Sequence, residues 1–350
     1  MLLYIHIPFC DSKCHYCSFN SYVDLFHLRE RYMQALSVQL DHELKRFKAT
    51  EGSIETIFIG GGTPSTVKPE LYRALFDTLR PYIKEGAEIT SEANPNSATT
   101  KWLEGMSALG VNRISFGVQS FDNGKLKKLG RAHNADDAVS ALLRAEKAGF
   151  KHLSIDLIYG VDNDTKELLA HDLQEAFKLP IDHLSAYALT IEEGTPFAAT
   201  PGVANEKLAL TEWFLESVKE RFATYEISNF GEYRSKHNLG YWEYKDYIGL
   251  GSGAVGFLKN ERFYPTGNVQ AYIDNPLNIQ SELLSEASIK TEKIFLGLRS
   301  VVGVDETILS LKEQNNAQLL VREKKLIYRE GRFYNDDYLL SDELALFIEQ

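Results

Sequence analysis

The stretch YIHIPFCDSKCHYCSFN, Tyr4–Asn20, contains every cysteine of this 350-residue chain. Cys10, Cys14 and Cys17 follow the apolar run LLYIHI, which has the length and composition of a buried strand. The cysteines are therefore expected on a loop at the carboxyl end of the first strand, where sites form in α/β sheets and barrels. An odd number of cysteines in one cluster argues against a secreted disulfide scaffold.

Three thiols at this spacing can converge on one metal centre. A structural zinc site requires a fourth ligand, but His15 lies between the cysteines and His6 lies within the predicted strand. A cubane iron–sulfur cluster held by three thiolates keeps one iron open to a ligand or substrate. The chemistry therefore favours a cluster over zinc, and zinc over reactive or inert thiols.

Six apolar runs of strand length occur in the first 190 residues, with helical patterns between them. Such alternation predicts an α/β protein with a parallel sheet. The pattern alone leaves two architectures open, an open doubly wound sheet and a curved partial barrel. The runs cover residues 2–7, 54–60, 87–93, 112–118, 152–160 and 183–190.

Three of the intervening helices have clear sequence signals. Asn134 with Asp137 predicts the start of one helix, and Gly149 predicts its end. Asp164 followed by Glu167 has capping-box spacing and predicts the start of another. The first helix is predicted from an apolar stripe that consists of Leu28, Tyr32, Leu36, Leu40, Leu44 and Phe47.

Composition excludes some classes of function. With 38 basic and 49 acidic residues the net charge is −11, which argues against general nucleic-acid binding. The apolar, glycine-rich stretch 247–258 is shorter than the ~20 residues that a membrane-spanning helix requires. The first residues have neither a basic region nor a small-residue cleavage site. We therefore expect a cytoplasmic protein without a transmembrane segment.

The sequence pattern changes after about residue 225. Aromatic residues crowd positions 222–247, and the segment from Thr291 is predicted to contain helices and a hairpin that turns at Glu330 and Gly331. The sequence therefore predicts two domains, 1–225 and 226–350, of which the second is mixed and winged-helix-like.

The C-x3-C-x2-C spacing, with Tyr16 before the third cysteine, resembles the radical S-adenosylmethionine superfamily. The resemblance implies a partial (β/α)6 barrel and a [4Fe-4S] cluster on Cys10, Cys14 and Cys17. It also implies S-adenosylmethionine on the open iron and a low-potential electron donor. In that superfamily, electron transfer from the cluster cleaves the sulfonium to a 5′-deoxyadenosyl radical.

Motifs near the ends of later strands extend the resemblance to the coproporphyrinogen dehydrogenases and their relatives. These motifs are GGGTP, SEANP, GVQSF, LGRAHN and SIDLIYG. A glycine cluster by itself is a weak signal, but glycines allow a backbone to approach a ligand closely. By this resemblance, the residues that contact S-adenosylmethionine are Tyr4, Tyr16, Gly61, Gly62, Thr63, Glu92, Gln119, Arg131 and Asp156.

Two branches of these relatives compete. The coproporphyrinogen III dehydrogenases have a fourth cysteine where this chain has Phe19, and they have a long arm before the cluster. The HemW-like haem chaperones have Phe at that position and an H-N-x-x-Y-W motif, which HNLGYW matches at His237–Trp242. The resemblance therefore favours a haem chaperone, with dehydrogenase as the first alternative and a zinc-bound, non-enzymatic module as the second.

The haem chaperone resemblance also implies ligands and partners. It assigns haem ligation to His237 and delivery of haem to haem-accepting apoproteins. His133, in GRAHN, is equally compatible with a second haem or cofactor contact and with a capping or hydrogen-bonding role. A homodimer and peripheral docking at the membrane during delivery are further expectations.

Overall fold

Eleven strands form one sheet in the computed structural model, which describes residues 1–350. The first six strands pair in chain order, each parallel to the next. All six predicted runs are strands, so this part of the prediction is confirmed. They are β1 (Leu2–Ile7), β2 (Ile54–Gly61), β3 (Ile83–Ala93), β4 (Arg113–Gln119), β5 (His152–Tyr159) and β6 (His183–Ala188).

The strand order decides between the two architectures that the sequence left open. A doubly wound sheet reverses its strand order at a switch point, but β1–β6 run without reversal. Alternate residues such as Leu3, Ile5 and Ile7 belong to the main hydrophobic core. Tyr4 and His6 point to the other face, which forms the interior of a partial barrel. The predicted α/β fold with a partial (β/α)6 barrel is confirmed.

Helices connect these strands. Asn134 caps its helix through a reciprocal capping box with Asp137, as predicted. The prediction for Asp164 is wrong, because the neighbouring Thr165 caps the next helix and Asp164 instead pairs with the buried Lys125 at 2.7 Å. The helices are α1 (Arg29–Arg46), α2 (Pro69–Leu79), α3 (Thr100–Leu109), α4 (Asn123–Lys128), α5 (Ala135–Lys147), α6 (Lys166–Lys178) and α7 (Leu208–Lys219).

The large sheet continues well past residue 225. One strand extends it antiparallel to β6, another pairs parallel with β1, and three more follow at that edge. The strands are β7 (Asn229–Gly231), β8 (Tyr247–Leu250), β9 (Gly256–Leu258), β10 (Glu261–Pro265) and β11 (Ile279–Leu283). The accompanying helices are α8 (Lys236–Trp242) and α9 (Val269–Asp274).

A second, smaller hydrophobic core begins at Ile294 and ends at Ile348. The predicted hairpin is confirmed, and both Glu330 and Gly331 have positive φ at its turn. The division into domains 1–225 and 226–350 stays a prediction. The large sheet itself continues across that boundary to residue 283. The elements are α10 (Glu286–Leu298), β12 (Val304–Asp305), α11 (Leu311–Arg322), β13 (Ile327–Arg329), β14 (Arg332–Tyr334) and α12 (Ser341–Glu349).

We expect Phe333→Ala to loosen the C-terminal unit selectively, because Phe333 is fully buried in the small core. A buried Phe→Ala change lowers the free energy of unfolding by about 3 to 5 kcal/mol. Limited proteolysis with mass spectrometry should show new cleavage after residue 285 and an intact barrel. Tyr328→Ala, on the exposed face of the same hairpin, is the control and should cost no more than about 1 kcal/mol. Equal cleavage throughout the chain would contradict the prediction.

Candidate functional site: two cavities in one barrel

A cavity of about 340 Å³ lies at the carboxyl ends of the barrel strands, beneath the cysteine loop. Its lining comes from the carboxyl-terminal halves of the barrel strands and from the loops after them, so residues distant in sequence meet there. With the exception of Tyr4, the structure brings together all the residues assigned above to the cluster or to S-adenosylmethionine. The residues of that set that line the cavity are Cys10, Cys14, Tyr16, Cys17, Gly61, Gly62, Thr63, Glu92, Gln119, Arg131 and Asp156.

Hydrogen-bond donors surround the cysteine sulfurs. The Thr63 hydroxyl donates to Cys10 Sγ at 3.3 Å, and Arg131 Nη1 donates to Cys14 Sγ at 3.2 Å. Burial raises the pKa of the Cys10 thiol, while the Thr63 hydrogen bond acts in the opposite direction. A cation and a hydroxyl directed at these sulfurs are hydrogen-bond donors that metal-bound thiolates could accept.

The glycine loop after β2 packs directly against the cysteine loop. A Cβ on Gly62 would lie 2.9 Å from the carbonyl oxygens of Ile7 and Phe9 and 3.0 Å from Cys10 Sγ. Gly61 has φ +110°, and its Cβ would lie 2.4 Å from the His6 ring. Only glycine permits this approach, so the GGGTP motif shapes the cavity through its lack of side chains.

The residues at this cavity fit a cluster better than a single ion. No group of three or more His, Cys, Asp or Glu side chains converges in the geometry that one metal ion requires. In a cubane, each thiolate binds its own iron, so the three sulfurs need not meet at one point. Three cysteines with donors at two of the sulfurs therefore suit a [4Fe-4S] cluster.

Two buried carboxyl groups face the same cavity. Glu92 accepts a hydrogen bond from the Gly61 amide at 3.0 Å. Burial and the charge of Asp156 raise the pKa of Glu92 to about 8. Burial also raises the pKa of Asp156, whose carboxylate accepts from Ser115 Oγ at 3.5 Å. Together they give the cavity two acceptors for a cationic or hydroxyl-bearing ligand.

Arg131 is fixed by four contacts. Its Nη2 donates to Asn94 Oδ1 at 2.7 Å and to the Gly117 carbonyl at 2.6 Å, while Nη1 reaches Cys14 and the Tyr16 hydroxyl. The guanidinium is thus held beside the sulfurs. It is the one arginine in the cavity wall, and a ligand carboxylate would bind it by replacing one of these contacts.

Gln119 has a left-handed backbone, with φ +71°, at the end of β4. Such a conformation costs a non-glycine residue of order 1 kcal/mol or more, and here the following residues hold it. Ser120 Oγ and the Phe121 amide both donate to the buried Asp172, which also lies 4.0 Å from Lys125. The buried ion pair therefore positions the loop that carries Gln119.

Tyr4 and His133 lie elsewhere. Tyr4 does not line the cysteine cavity. Its hydroxyl bonds to His6 Nδ1 at 3.0 Å, and its ring stacks on Phe58 in the wall of a second cavity. His133 lines neither cavity. Its Nε2 donates to the Val118 carbonyl at 3.0 Å, and burial lowers its pKa to about 4.

The second cavity, of about 1020 Å³, lies between the barrel and α10. We call it the aromatic cavity, because flat rings from β1, β2, β6, α8, β8, β9 and α10 line it. Tyr187 lines both cavities and is therefore a shared wall between them. The aromatic lining consists of Tyr4, Phe58, Tyr187, Tyr241, Trp242, Tyr244, Tyr247, Phe257 and Phe295, with His237 among them.

His237 lies on α8 and is 1% exposed. Its ring stacks on Phe58 with centroids 5.2 Å apart. Nδ1 is 2.7 Å from Thr56 Oγ1, and Nε2 is 3.0 Å from the Tyr241 hydroxyl, so both nitrogens have partners. Burial, reinforced by the charge of Arg113, lowers the pKa of His237 to about 3, which keeps the imidazole neutral.

The carboxylate of Glu88 anchors the start of α8. It accepts from the backbone amides of Lys236 at 2.9 Å and His237 at 3.0 Å, and from Ser235 Oγ at 3.3 Å. An acid at a helix N-terminus satisfies the free amides and complements the helix dipole. Glu88 belongs to β3, so the barrel itself fixes the helix that carries His237.

Sequence reasoning missed three residues of these cavities. Asn94 holds Arg131 and follows β3 in the SEANP motif, so its position could have been found from the strand end. Tyr187 could have been found in the same way, because it lies near the carboxyl end of β6. Glu226 is buried in the aromatic cavity and carried no signal, because one glutamate in an irregular segment resembles any surface acid.

Comparisons with known proteins agree with this architecture. The family model of the Radical SAM superfamily matches residues 4–176. The Heme chaperone HemW of Bacillus subtilis is 35% identical over 322 residues, which cover 87% of this chain and 84% of that protein. The Heme chaperone HemW of Escherichia coli is 39% identical over 278 residues, which cover 76% of this chain and 71% of that protein.

A solved structure shares the fold over the whole chain. It is the coproporphyrinogen III oxidase HemN of Escherichia coli, with a TM-score of 0.82 at 20% identity, covering 100% of this chain and 90% of that one. The barrel and its three-cysteine loop are those of a radical SAM protein. Within that superfamily, the chain belongs to the family of the heme chaperone HemW. None of its helices has the length and apolar character needed to cross a bilayer.

We expect Gly62→Ala to lose most of its iron after anaerobic reconstitution, because the added methyl collides with two carbonyl oxygens and with Cys10 Sγ. Relieving such overpacking costs about 1 to 3 kcal/mol and moves the cysteine loop. Iron and sulfide analysis measures the loss. Gly202→Ala is the matched control, since its methyl would meet no atom within 4 Å. Full cluster content in Gly62→Ala would show that this contact does not shape the site.

Proposed function

We propose that this protein is a haem chaperone that binds haem in the aromatic cavity and passes it to haem-accepting apoproteins. The observation that carries the proposal is that the HNLGYW helix forms one wall of a large, ring-lined cavity. Relatives named heme chaperones, 35% and 39% identical to this chain, support it. The proposed delivery of haem to acceptor proteins rests on the names of these relatives.

The cavity suits a flat, largely apolar ligand with a polar edge. At about 1020 Å³, it is at the upper end of the ~300 to 1000 Å³ typical of small-molecule sites. Aromatic rings offer stacking faces to a porphyrin. Three cations also line it, Lys245, Arg262 and Arg299, and each could pair with a propionate. The lining therefore suits both the flat porphyrin ring of haem and its propionate edge.

His237 is the proposed axial ligand. Nδ1 is held by Thr56, which fixes the ring orientation as outer-shell hydrogen bonds do for metal-binding imidazoles. Nε2 becomes available only when the Tyr241 hydroxyl moves away, because the two are 3.0 Å apart. The depressed pKa supplies the neutral imidazole that iron ligation requires. Ligation would thus exchange one hydrogen bond for a metal bond.

The superfamily implies a [4Fe-4S] cluster and S-adenosylmethionine, and we place both at the cysteine cavity. Cys10, Cys14 and Cys17 would hold the cluster, which supplies one-electron reduction of a sulfonium when bound. Arg131 is placed to bind a carboxylate, and Glu92 and Asp156 to bind an ammonium and hydroxyl groups. Their burial excludes water from the ligand.

The alternative of coproporphyrinogen III dehydrogenase has weaker support. The likeness to HemN shows the fold, at 20% identity. Phe19, at the position where the dehydrogenases have a fourth cysteine, is 66% exposed. An anaerobic assay of the reconstituted protein with coproporphyrinogen III distinguishes the functions. Formation of a vinyl product would replace the chaperone proposal, and haem transfer to an apoprotein without that product would support it.

We expect His237→Ala to weaken haem binding at least about tenfold, since a lost axial ligand costs well over 1.4 kcal/mol. Tyr241→Phe, which frees Nε2 and keeps the ring, should bind about fivefold more tightly, because one hydrogen bond of about 1 kcal/mol no longer competes. Haem titration followed by absorption measures both, with circular dichroism to verify folding. An unchanged haem spectrum in His237→Ala would remove His237 from the site.

We expect S-adenosylmethionine to bind more tightly as pH rises from about 6.5 to 7.5, because Glu92 must lose a proton to hold a cation. Its pKa of about 8 means that binding below this pH releases that proton. Glu92→Gln should lower affinity about 10- to 100-fold and remove this pH dependence. Calorimetry on the reconstituted protein tests it, and a variant with an unchanged pH profile would contradict it.

The remaining proposals concern partners and location. We propose a low-potential electron donor for the cluster, a homodimer as the resting assembly, and a cytoplasmic location with peripheral docking at the membrane during delivery. These follow from the family resemblance. Size-exclusion chromatography with light scattering, before and after cluster reconstitution, tests the homodimer.

A further inference from the structure

Two buried acceptor atoms in the wall of the aromatic cavity lack a donor, although Ser228 and Asn229 donate hydrogen bonds to the Glu226 carboxylate. Glu226 is 1% exposed, and its Oε1 has no hydrogen-bond partner. Asn229 is 4% exposed, and its Oδ1 is also unpartnered. Both residues line the cavity. Buried polar atoms are nearly always satisfied, so a pair of unpaired acceptors at one place points to a role toward a ligand.

Glu226 and Arg262 lie at opposite ends of this cavity. The Glu226 backbone bridges to Ser300, just beyond the end of α10. Arg262 pairs at 2.6 Å with Glu292, which lies in the middle of α10. Eight residues separate positions 292 and 300, so with a rise of ~1.5 Å per residue the two places are about 12 Å apart. The helix therefore spans the cavity from the paired Arg262 to an end that Glu226 and Arg299 both line.

No cation neutralises Glu226. Arg299 lines the same cavity, but its Nε and Nη2 both donate to Asp342 Oδ1, at 2.9 and 2.6 Å. No Lys, Arg or His nitrogen lies within 4.0 Å of the Glu226 carboxylate. Burial raises the pKa of Glu226 to about 7. Above that pH Glu226 carries a negative charge that hydrogen bonds from Ser228 and Asn229 offset in part and that no cation within 4.0 Å neutralises.

We propose that Glu226 is a specificity-determining residue, which admits tetrapyrroles with carboxylates on one edge and rejects those with carboxylates around the ring. The inference rests on the proposed haem function. Haem carries two propionates on one edge, which can face Arg262 and Lys245 while its apolar edge faces Glu226. A coproporphyrin carries four, so at least one must approach Glu226, where like charges repel strongly in a low dielectric.

The test compares two iron porphyrins, iron protoporphyrin IX and iron coproporphyrin III, titrated into the haem-free protein at about pH 8.5, where Glu226 is ionised. We expect wild type to prefer the dicarboxylate at least about tenfold, or ~1.4 kcal/mol. Glu226→Gln, which keeps the shape and removes the charge, should reduce the preference to within about threefold. A preference that Glu226→Gln leaves intact would overturn the inference, as would equal binding of both ligands by wild type.

Glu292→Gln is the matched control at the other end. It removes the acid that pairs with Arg262. Both ligands should therefore bind more tightly by the same factor, and the ratio of their affinities should not change. A ratio that changes as much in Glu292→Gln as in Glu226→Gln would overturn the inference, because the effect would then be general electrostatics. Circular dichroism and unfolding curves verify that both variants fold.

A measurement on wild type alone covers the case in which Glu226→Gln fails to fold. At about pH 6 most Glu226 is protonated, so the preference should fall there without any mutation. The ionisable groups that face it are the phenols of Tyr187, Tyr225 and Tyr338, which stay neutral in this range. A preference independent of pH would overturn the inference. Failure of wild type to bind iron protoporphyrin at all would instead overturn the proposed function.

Discussion

The buried carboxylate of Glu88 joins β3 of the barrel to the start of α8, the helix that carries His237. It projects from β3 and accepts three hydrogen bonds from the start of α8, at Ser235, Lys236 and His237. A charge buried this deeply is stable only when several donors satisfy it, and the free amides of a helix N-terminus supply them. The position of α8, and with it one wall of the aromatic cavity, therefore depends on a residue in the barrel.

That arrangement places two chemically different cavities in one barrel. The cysteine cavity is polar and acidic, with Arg131 held against a sulfur, and suits a small charged ligand. The aromatic cavity is three times larger and suits a flat one, by the ratio of about 1020 to 340 Å³. Tyr187 borders both, so a ligand in either cavity would contact the same side chain. The two proposed sites, for haem and for S-adenosylmethionine, would thus be separate cavities that share one side chain.

Sequence patterns were most informative where chemistry is local. The cysteine spacing and the strand runs placed Cys10, Gly62 and Arg131 at the end of the barrel where the structure has them. Patterns were less informative about contacts between distant segments. Asp164 has capping-box spacing, but the buried Lys125 pairs with it, and Thr165 caps the helix instead. The resemblance assigned Tyr4 to S-adenosylmethionine, yet its ring lies beside Phe58 in the other cavity.

The sequence by itself determined the strand and helix alternation, the cysteine loop and the motif that carries His237, because these depend on residue type and short spacing. Only the tertiary structure decided that the barrel sheet extends through residue 283 and that the Tyr241 hydroxyl bonds to Nε2 of His237. It also decided that Glu226 lies buried in a cavity wall without a cationic partner. The physical reason is that burial and pairing are properties of three-dimensional neighbours. A glutamate or a histidine has the same sequence signature whether water or another side chain surrounds it.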